Sequence, residues 1–263
     1  MRIGMITGSG SYDWPHLEGA AERTVVTDHG EVTVTEGRLG DTEIVQLSRH
    51  GSGHHRLSSQ VDHKANLAAL LASKAEAVVS FTVCGSLDPD LPPGSLVVFD
   101  DLYFPANRLP DGTPCTWYDT PGEADRGHWI FEKPFSEPLR QALIRAAGRQ
   151  SGVPVATQGV YGHVDGPRFN TRPEVAALVA AGVSAVSQTA GPEVVLAGEA
   201  ELPMALVGFV TDYANGVAPE PEPVQALLER MAASKEVFAT LAGHALPSLD
   251  SLSGAGFVYR FDA

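Results

Sequence analysis

The chain has 263 residues, of which 43% are hydrophobic and 19% charged, so it can bury a sizeable core. Its formal net charge of −14 argues against a nucleic-acid partner, because binding along a phosphate backbone needs basic faces. The only cysteines are Cys84 and Cys115, and no apolar run approaches the ~18 residues of a membrane span. We therefore expect a cytoplasmic protein without a disulfide framework, whose partners are small molecules.

The N-terminal half predicts mainly strands. Its β-branched and apolar runs are bounded by glycine and polar turns, and a single stretch has helical spacing of leucines. We predict strands at Arg2–Ile6, Thr24–Glu36, Thr42–Leu47, Ala77–Thr82 and Leu96–Phe99, and a helix at Ser58–Lys74.

The C-terminal half alternates strands with helices. The segment Asp101–His128 is rich in Pro, Gly, Asp and aromatic residues, and we interpret it as a loop over the sheet edge. The alternation predicts one α/β domain over residues 1–263, an αβα sandwich around a largely parallel or mixed sheet. We predict helices at Glu137–Gln150, Arg172–Ala181, Pro192–Ala200 and Val224–Ala245, and strands at Val155–Val160, Ser184–Ser187 and Met204–Thr211.

Two loops in the first half carry donors for an anion. The glycines of Gly8-Ser9-Gly10 let backbone amides approach an anion, although a tight packing turn is an equal alternative. In the loop 48–56, Arg49 can grip phosphate with a bidentate fork, and a solvated basic turn is the alternative. The histidines there suggest a metal, but they have no cysteine partners and no HExxH spacing, so we expect none.

Three later segments carry further chemistry. Thr82 follows an apolar run and could donate to an oxyanion, while Cys84 is interpreted as a packed residue. Gly166-Pro167 forces a turn at a strand-to-helix corner, where α/β proteins place ligand contacts. Asp212 ends an apolar strand, where a carboxyl is either a cap or a proton donor.

Taken together, these loops resemble the purine nucleoside phosphorylase family, and most closely its methylthioadenosine phosphorylase branch. The resemblance implies that inorganic phosphate attacks the anomeric carbon of a purine nucleoside, giving a free base and a pentose 1-phosphate, with no metal or organic cofactor. It also implies a nucleoside phosphorylase-like fold and a homotrimer, or a dimer of trimers, with sites at subunit interfaces. The motifs run in family order from ITGSG through SRHGSGHH, TVCGSL, VDGPRF and QTAGPEVVLAGEA to TDY.

The resemblance also implies roles for individual residues. Asp212 would hydrogen-bond or protonate the purine at N7, and His128 would reach the 5′ pocket of a neighbouring subunit. Asn170 and Ser187 fall at nucleoside positions, Phe169 would pack on the purine or ribose, and Gln188 would lie beneath the ribose. The phosphate would be held, with no carboxylate beside it, by Ser9, Arg49, His50, Thr82, the Val83 amide and Thr189.

Departures from the family pattern keep the substrate open. Gln188 stands where the family has Met, Ser187 where Asn is common, and Ala214 where a second Asp helps to read the 6-amino group. Asn170 fits neither branch, whereas an Asp at position 212 goes with 6-aminopurines. We expect 5′-methylthioadenosine or a related 5′-modified adenosine as substrate. The alternatives are a 6-oxopurine nucleoside such as inosine, guanosine or methylthioinosine, and a non-catalytic nucleoside-binding protein.

Overall fold

Strands with apolar residues on both faces form the centre of the molecule. The computed structural model describes residues 1–9, 14, 17–220 and 222–261. The helices in this part of the chain are α1 His63–Ala72, α2 Glu137–Ala147, α3 Arg172–Ala180, α4 Ala190–Glu199 and α5 Val224–Ala245. The strands are β1 Arg2–Thr7, β2 Glu18–Thr27, β3 Gly30–Leu39, β4 Thr42–Ser48, β5 Ala77–Ser86, β6 Leu96–Val98, β7 Asp101–Tyr103, β8 Gly127–Ile130, β9 Val155–Ala156, β10 Val160–His163, β11 Ala185–Ser187, β12 Met204–Tyr213 and β13 Phe257–Arg260.

The helices cover both faces of the large sheet, as side-chain alternation along the strands requires. Ile3 and Met5 of β1 pack in one apolar cluster with residues of α2 and α5. Ile6 of the same strand packs on the opposite face, in a cluster with residues of α1 and α4. The mixed αβα sandwich predicted from the sequence is therefore confirmed.

The large sheet forks at β5. Along one edge β5 pairs with parallel β12 for nearly its whole length. Along the other edge it pairs with parallel β1 as far as Ser80, and with antiparallel β11 only at Gly85 and Ser86. The backbone from Phe81 to Cys84 therefore lacks a strand neighbour on that edge, which creates a gap inside the sheet.

Three strand predictions needed correction. The run Thr24–Glu36 is a hairpin, because the chain turns at Asp28-His29 between β2 and β3. The run Val155–Val160 is split into β9 and β10, which pair with different neighbours, β6 and β7. β5 continues to Ser86, so Thr82 lies within the strand rather than at its end.

A small second sheet lies outside the sandwich. β8 pairs with antiparallel β13, a C-terminal strand that the sequence analysis did not predict. This pair and its flanks expose large apolar side chains, namely Ile130, Phe131, Phe257, Tyr259 and Phe261, which we call the β8–β13 apolar face. Among the described residues, no helix is long and apolar enough to cross a membrane.

Candidate functional site

A cavity of about 270 Å³ opens at the fork beside β5. It gathers residues from several loops that are distant in sequence. The predicted residues that line it are Ser9, Arg49, His50, Thr82, Val83, Phe169, Asn170, Ser187, Gln188, Thr189 and Asp212. We call Ser9, Arg49, His50, Thr82, Val83 and Thr189 the donor half of the cavity, and Phe169, Asn170, Ser187 and Gln188 the loop half.

Arg49 is the most constrained side chain in the donor half. It is 1% exposed, and its Nε and Nη2 donate to the two carboxylate oxygens of Glu193 at 2.6 and 2.9 Å. Nη1 donates to the Phe81 carbonyl at 2.8 Å, and Nη2 also donates to the Ser80 hydroxyl at 2.6 Å. Four of the five guanidinium N–H groups are thus used by described residues, which leaves one on Nη1.

This arrangement corrects two expectations. A bidentate grip on phosphate is wrong for this geometry, because Glu193 occupies the fork of Arg49. A carboxylate does lie beside the donors, since Glu193 is fully buried on α4. Burial alone would raise the pKa of Glu193, but the charge and hydrogen bonds of Arg49 outweigh it and lower that pKa, so the pair stays ionic. Arg49 therefore adds no net positive charge to the cavity.

Close packing explains why a glycine precedes Ser9. A Cβ at Gly8 would lie 2.3 Å from Nη1 of Arg49, so only glycine lets the β1 loop pass over the guanidinium. The next residue, Ser9, lines the cavity, whereas Gly10 lies outside the described residues. The first glycine of the loop thus serves Arg49 rather than a ligand.

His50 is buried in the wall of the donor half. Its Nδ1 lies 2.8 Å from the Arg56 carbonyl, and its ring stacks on His54 with centroids 4.2 Å apart. Burial, followed by the positive charge of Arg49, lowers the pKa of His50 to about 3. The imidazole is therefore neutral at physiological pH.

The open edge of β5 supplies one further donor, the Val83 amide, beside a Thr82 hydroxyl that donates to the Val83 carbonyl. Phe81 turns its carbonyl toward Arg49, and alternate residues of a strand direct their backbone groups to the same edge. The Val83 amide is therefore directed into the gap of the fork. The Thr82 hydroxyl lies 3.1 Å from the Val83 carbonyl and 3.2 Å from the Ser187 hydroxyl, which joins the donor half to the loop half.

Thr189 precedes α4 but does not cap it with its side chain. The first amides of the helix are satisfied elsewhere, since Ala190 donates to the Tyr161 hydroxyl at 3.1 Å and Gly191 to Nδ1 of His163 at 3.3 Å. Thr189 lines the cavity and its side chain has no capping task, while these two helix amides are already bonded within the chain.

A β-bulge sets the position of Asp212. The register between β12 and β5 shifts between Val210 and Asp212, which brings Asp212 opposite Gly85. The Thr211 hydroxyl donates to Oδ1 of Asp212 at 2.7 Å, while Oδ2 lies 3.6 Å from where a Cβ on Gly85 would be. Burial raises the pKa of Asp212, more than the Thr211 hydrogen bond lowers it.

Gln188 holds two loop segments together. Its Oε1 accepts from the Ser58 hydroxyl at 2.9 Å, and its Nε2 donates to the Arg168 carbonyl at 2.9 Å. Gly166 allows this contact, because a Cβ there would lie 2.0 Å from Oε1 of Gln188. Gln188 thereby fixes the segment that carries Phe169, which is 68% exposed at the cavity mouth.

One predicted residue lies elsewhere. His128 is on β8, in a different cavity of about 380 Å³ that Phe104, Trp129 and Glu199 also line. Its ring contacts that of Phe261 with centroids 5.2 Å apart. Within this chain His128 is therefore separate from the other predicted residues, and its role in a neighbouring subunit stays a prediction.

Sequence reasoning missed several contributors to the cavity. Glu193 was noted only as part of a motif, and its pairing with Arg49, 144 positions away in sequence, has no local signal. Leu227 and Met231 of α5 form an apolar wall, and their spacing of four residues on a predicted helix was a usable signal. Ser58 was predicted only as the start of a helix.

Two other expectations concern reactive or metal-binding groups. Cys84 is buried, its Sγ lies 3.6 Å from the Phe209 carbonyl, and burial raises its pKa, so it is a packed thiol rather than a nucleophile. In the described part of the chain, no group of three or more His, Cys, Asp or Glu is arranged to hold a metal ion.

Comparison with known proteins gives the family. The profile of the Phosphorylase superfamily matches residues 2–247, nearly the whole chain. The chain belongs to this superfamily. The donor half of the cavity is thus a feature of a phosphorylase.

Several relatives cover most of this phosphorylase. It is 35% identical over 268 residues to the 6-oxopurine nucleoside phosphorylase of Pyrococcus furiosus. That alignment covers 97% of this chain and 98% of the relative. It is 34% identical over 217 residues to the S-methyl-5′-thioadenosine phosphorylase of Danio rerio, covering 81% of this chain and 76% of that one. A methylthioadenosine phosphorylase from Schistosoma mansoni, solved with adenine, superposes with a TM-score of 0.84 at 31% identity, over 94% and 90% of the two chains.

Proposed function

We propose that this phosphorylase cleaves a purine nucleoside with inorganic phosphate, using no metal or organic cofactor, and releases a free base and a pentose 1-phosphate. The preferred substrate is 5′-methylthioadenosine or a related 5′-modified adenosine. The observation that carries the proposal is the cavity at the β5 fork, where the donor half meets the aromatic ring of Phe169 and the apolar wall of Leu227 and Met231. Hydroxyl and amide donors suit the oxygens of phosphate, and an apolar wall suits a purine.

Asp212 is the group we assign to the leaving base. In a glycosidic cleavage the purine departs with negative charge, and a positioned acid at N7 accelerates that step roughly 10²–10⁴-fold. Burial raises the pKa of Asp212, which makes the carboxyl easier to protonate, and Oδ2 is the oxygen that Thr211 does not contact. Asp212 lies opposite Gly85, three residues beyond Thr82 and so about 10 Å along β5. A nucleoside can bridge that interval.

The same carboxyl supports a 6-aminopurine. A neutral carboxyl offers one donor and one acceptor, which match N7 and the 6-amino group of adenine. A 6-oxopurine presents acceptors at both N7 and O6, and only one of them can be satisfied by Asp212. The adenine-containing Schistosoma mansoni structure is consistent with this choice.

A 6-oxopurine nucleoside is the second candidate substrate, and one observation favours it. The relatives that span nearly all of this chain, from Pyrococcus furiosus and Thermococcus kodakarensis, are named 6-oxopurine nucleoside phosphorylases, the second with the prefix probable. The methylthioadenosine phosphorylase of Danio rerio spans 81% of it. Ala214 also lines the cavity beside Asp212 and supplies no second group for a 6-amino substituent.

The deciding experiment measures base release from methylthioadenosine, adenosine and inosine, each with and without phosphate, and identifies the sugar product. Phosphate-dependent adenine release with a pentose 1-phosphate is the expected result. Hypoxanthine release from inosine alone would replace the substrate assignment by the 6-oxopurine one. Base release that does not need phosphate would overturn phosphorolysis itself.

We also propose that the protein is a homotrimer in which the β8–β13 apolar face contacts a neighbouring subunit. Phe257 and Tyr259 are 55% and 54% exposed, which is unusual for aromatic residues on a free surface. Light scattering after size-exclusion chromatography should give a trimer or a dimer of trimers. Tyr259→Glu should reduce the mass toward that of one chain, and an unchanged trimer would exclude this face as the contact.

From its cysteines, we propose that the protein is located in a reducing compartment, the cytoplasm. Cys84 and Cys115 are both free and buried in the structure. Such thiols are typical of proteins that need no disulfide for stability.

A further inference from the structure

We propose that the ion pair of Arg230 and Glu222 tunes Asp212. Arg230 is a positioning residue that holds the bulge carrying Asp212, and the two opposite charges set how readily this carboxyl gives up its proton. Neither member of the pair lines the cavity, so both act from behind its wall. The inference rests on the proposed function in one respect, which is that Asp212 is the acid for the leaving base.

Arg230 contacts the bulge itself. The register of β12 against β5 skips Thr211, the extra residue of the bulge, and the Thr211 carbonyl accepts from Nη1 of Arg230 at 3.0 Å. Because a bulge disrupts the strand ladder locally, a side-chain donor at this position stabilises it. This carbonyl belongs to the peptide group that joins Thr211 to Asp212. The positive charge of Arg230 therefore lies one peptide unit from the backbone of Asp212.

Glu222 holds the guanidinium in place. Its two carboxylate oxygens accept from Nη1 and Nη2 of Arg230, the second at 2.9 Å. Nη1 has two hydrogens, so it can donate to Glu222 and to the Thr211 carbonyl together. The hydrogen bonds of Arg230 lower the pKa of Glu222, and the pair is therefore ionic at physiological pH. Arg230 is thereby kept at the bulge.

One stretch of α5 supplies both the cavity wall and this charge. Leu227 and Met231 line the cavity, and Arg230 lies between them in sequence on the same helix. The side chains of Arg230 and Glu222 are 29% and 34% exposed, so water screens their charges without removing them. The apolar wall meets the ligand, while the ion pair acts on the acid from the side of the solvent.

The two charges act on Asp212 in opposite directions. Burial raises the pKa of Asp212 most and the Thr211 hydrogen bond lowers it, after which the charge of Glu222 raises it and that of Arg230 lowers it. On β5, which pairs with β12, the titratable group beside Asp212 is the Cys84 thiol, whose pKa is raised by burial and which carries no charge. Removing one member of the pair therefore leaves the other unopposed.

The experiment measures kcat/KM for methylthioadenosine against pH, at saturating phosphate, in the wild-type protein, Arg230→Met and Glu222→Gln. Activity should descend as pH rises, because an ionised Asp212 has no proton to give. The midpoint of this descent should move to higher pH in Arg230→Met and to lower pH in Glu222→Gln. Well above the midpoints, kcat/KM of the two variants, each relative to its own acidic plateau, should differ by at least about threefold.

Opposite directions separate tuning from a structural effect. Both variants break the same ion pair, so a merely structural role would move both profiles in the same direction. The double variant Arg230→Met with Glu222→Gln should give a midpoint between those of the single variants, and about 1 M salt should reduce the difference between them. The matched control is Glu229→Gln, which removes an exposed charge beside Arg230 whose carboxylate accepts from Gln225, and it should keep the wild-type midpoint.

A second measurement needs no turnover. Carbon-13 NMR of aspartate-labelled protein follows the titration of the Asp212 carboxyl, which is assigned by the loss of its signal in Asp212→Asn. Its midpoint should move in the same two directions. Movement of both folded variants in one direction, or no movement, would overturn the inference, and phosphate-dependent base release would then leave the proposed function standing. Opposite movements in a protein that releases no base with phosphate would support the coupling and overturn the proposed function.

Discussion

The donor half and the loop half of the cavity are built in different ways. Arg49, Thr82 and Thr189 are 1%, 3% and 4% exposed, and they lie on or directly beside the central strands. Phe169, at the mouth of the loop half, is 68% exposed and belongs to a turn held by side-chain hydrogen bonds, among them those of Gln188 to the Arg168 carbonyl and of Asn215 to the Asn170 carbonyl. The donor half lies mainly on or beside strands of the large sheet, whereas the loop half, apart from Ser187 of β11, lies in loops.

This difference suggests that the donor half sets the reaction and the loop half sets the choice of substrate. A buried ion pair and strand-edge amides cannot change without disturbing the core, so the proposed phosphate site is fixed with the fold. Loop residues tolerate replacement because they carry few core contacts. The unusual residues Gln188 and Asn170 both lie in the loop half, as this division predicts.

The largest effect should come from breaking the Arg49–Glu193 pair. Arg49→Ala leaves Glu193 buried without a counterion, and we expect the free energy of unfolding to fall by about 3–5 kcal/mol. The phosphate requirement should rise sharply in whatever protein remains folded. Urea unfolding and the phosphate dependence of turnover are the measurements.

A double variant separates the two effects of Arg49. Arg49→Met combined with Glu193→Leu replaces the pair by apolar groups, and stability should return toward the wild-type value. Phosphate use should stay impaired, because the remaining Nη1 donor is lost as well. Normal phosphate dependence in this stable variant would remove Arg49 from the phosphate site.

Asp212→Asn should give the next largest effect. The amide cannot supply an acidic proton, so kcat for an adenine-type nucleoside should fall roughly 10²–10⁴-fold while phosphate affinity is retained. In the wild-type protein kcat/KM should decrease as pH rises through the raised pKa of Asp212, because the ionised carboxylate has no proton to give. Full activity of the asparagine variant would exclude Asp212 as the acid.

Acid should lower the free energy of unfolding gradually, because three histidines are buried in the neutral form. Burial lowers the pKa of His50 and His163 to about 3 and of His63 to about 4, below the usual 6.5. Below pH 6.5 the unfolded chain binds protons that the folded chain does not, so stability falls as pH falls toward 4. Each histidine contributes up to about 1.4 kcal/mol per pH unit.

Denaturant unfolding at pH 7.5, 6.5, 5.5 and 4.5 measures this slope. His63→Leu should make the slope of stability against pH shallower, because it removes one of the buried histidines. The change breaks no hydrogen bond, since both ring nitrogens of His63 lack hydrogen-bond partners among the described residues. Stability that is flat between pH 6.5 and 4.5 would contradict the assignment of neutral buried histidines.

The smallest effect should come from the loop half. Gln188→Leu removes the bonds to Ser58 and Arg168, and we expect KM for the nucleoside to rise about tenfold, with KM for phosphate nearly unchanged. Ser58→Ala, which removes only one of these bonds, should have a weaker effect in the same direction. Equal changes in both KM values would contradict the division into two halves.

Local sequence predicted much of the fold and part of the site. Apolar runs such as Ala77–Thr82 identified central strands, and glycine-rich or polar segments after them identified most of the residues that line the cavity. The fork at β5 could not be predicted, because it depends on where β1 and β11 end against the same edge. The Glu193 partner of Arg49 was missed for a similar reason: a buried charge in a helix is recognised only when its distant counterion is known.

Gly198 gives helix α4 a second packing role, at the end opposite Glu193. A Cβ at this position would lie 2.3 Å from the indole of Trp129, so glycine is needed there for packing rather than for backbone freedom. Glu193 lies near the start of the helix and Gly198, against which Trp129 packs, lies near its end, about 7.5 Å further along the axis. Trp129 belongs to β8, whose partner β13 bears much of the β8–β13 apolar face. The proposed subunit contact and the proposed phosphate site are therefore joined through one helix, so a substitution that shifts α4 at one end should also affect the other.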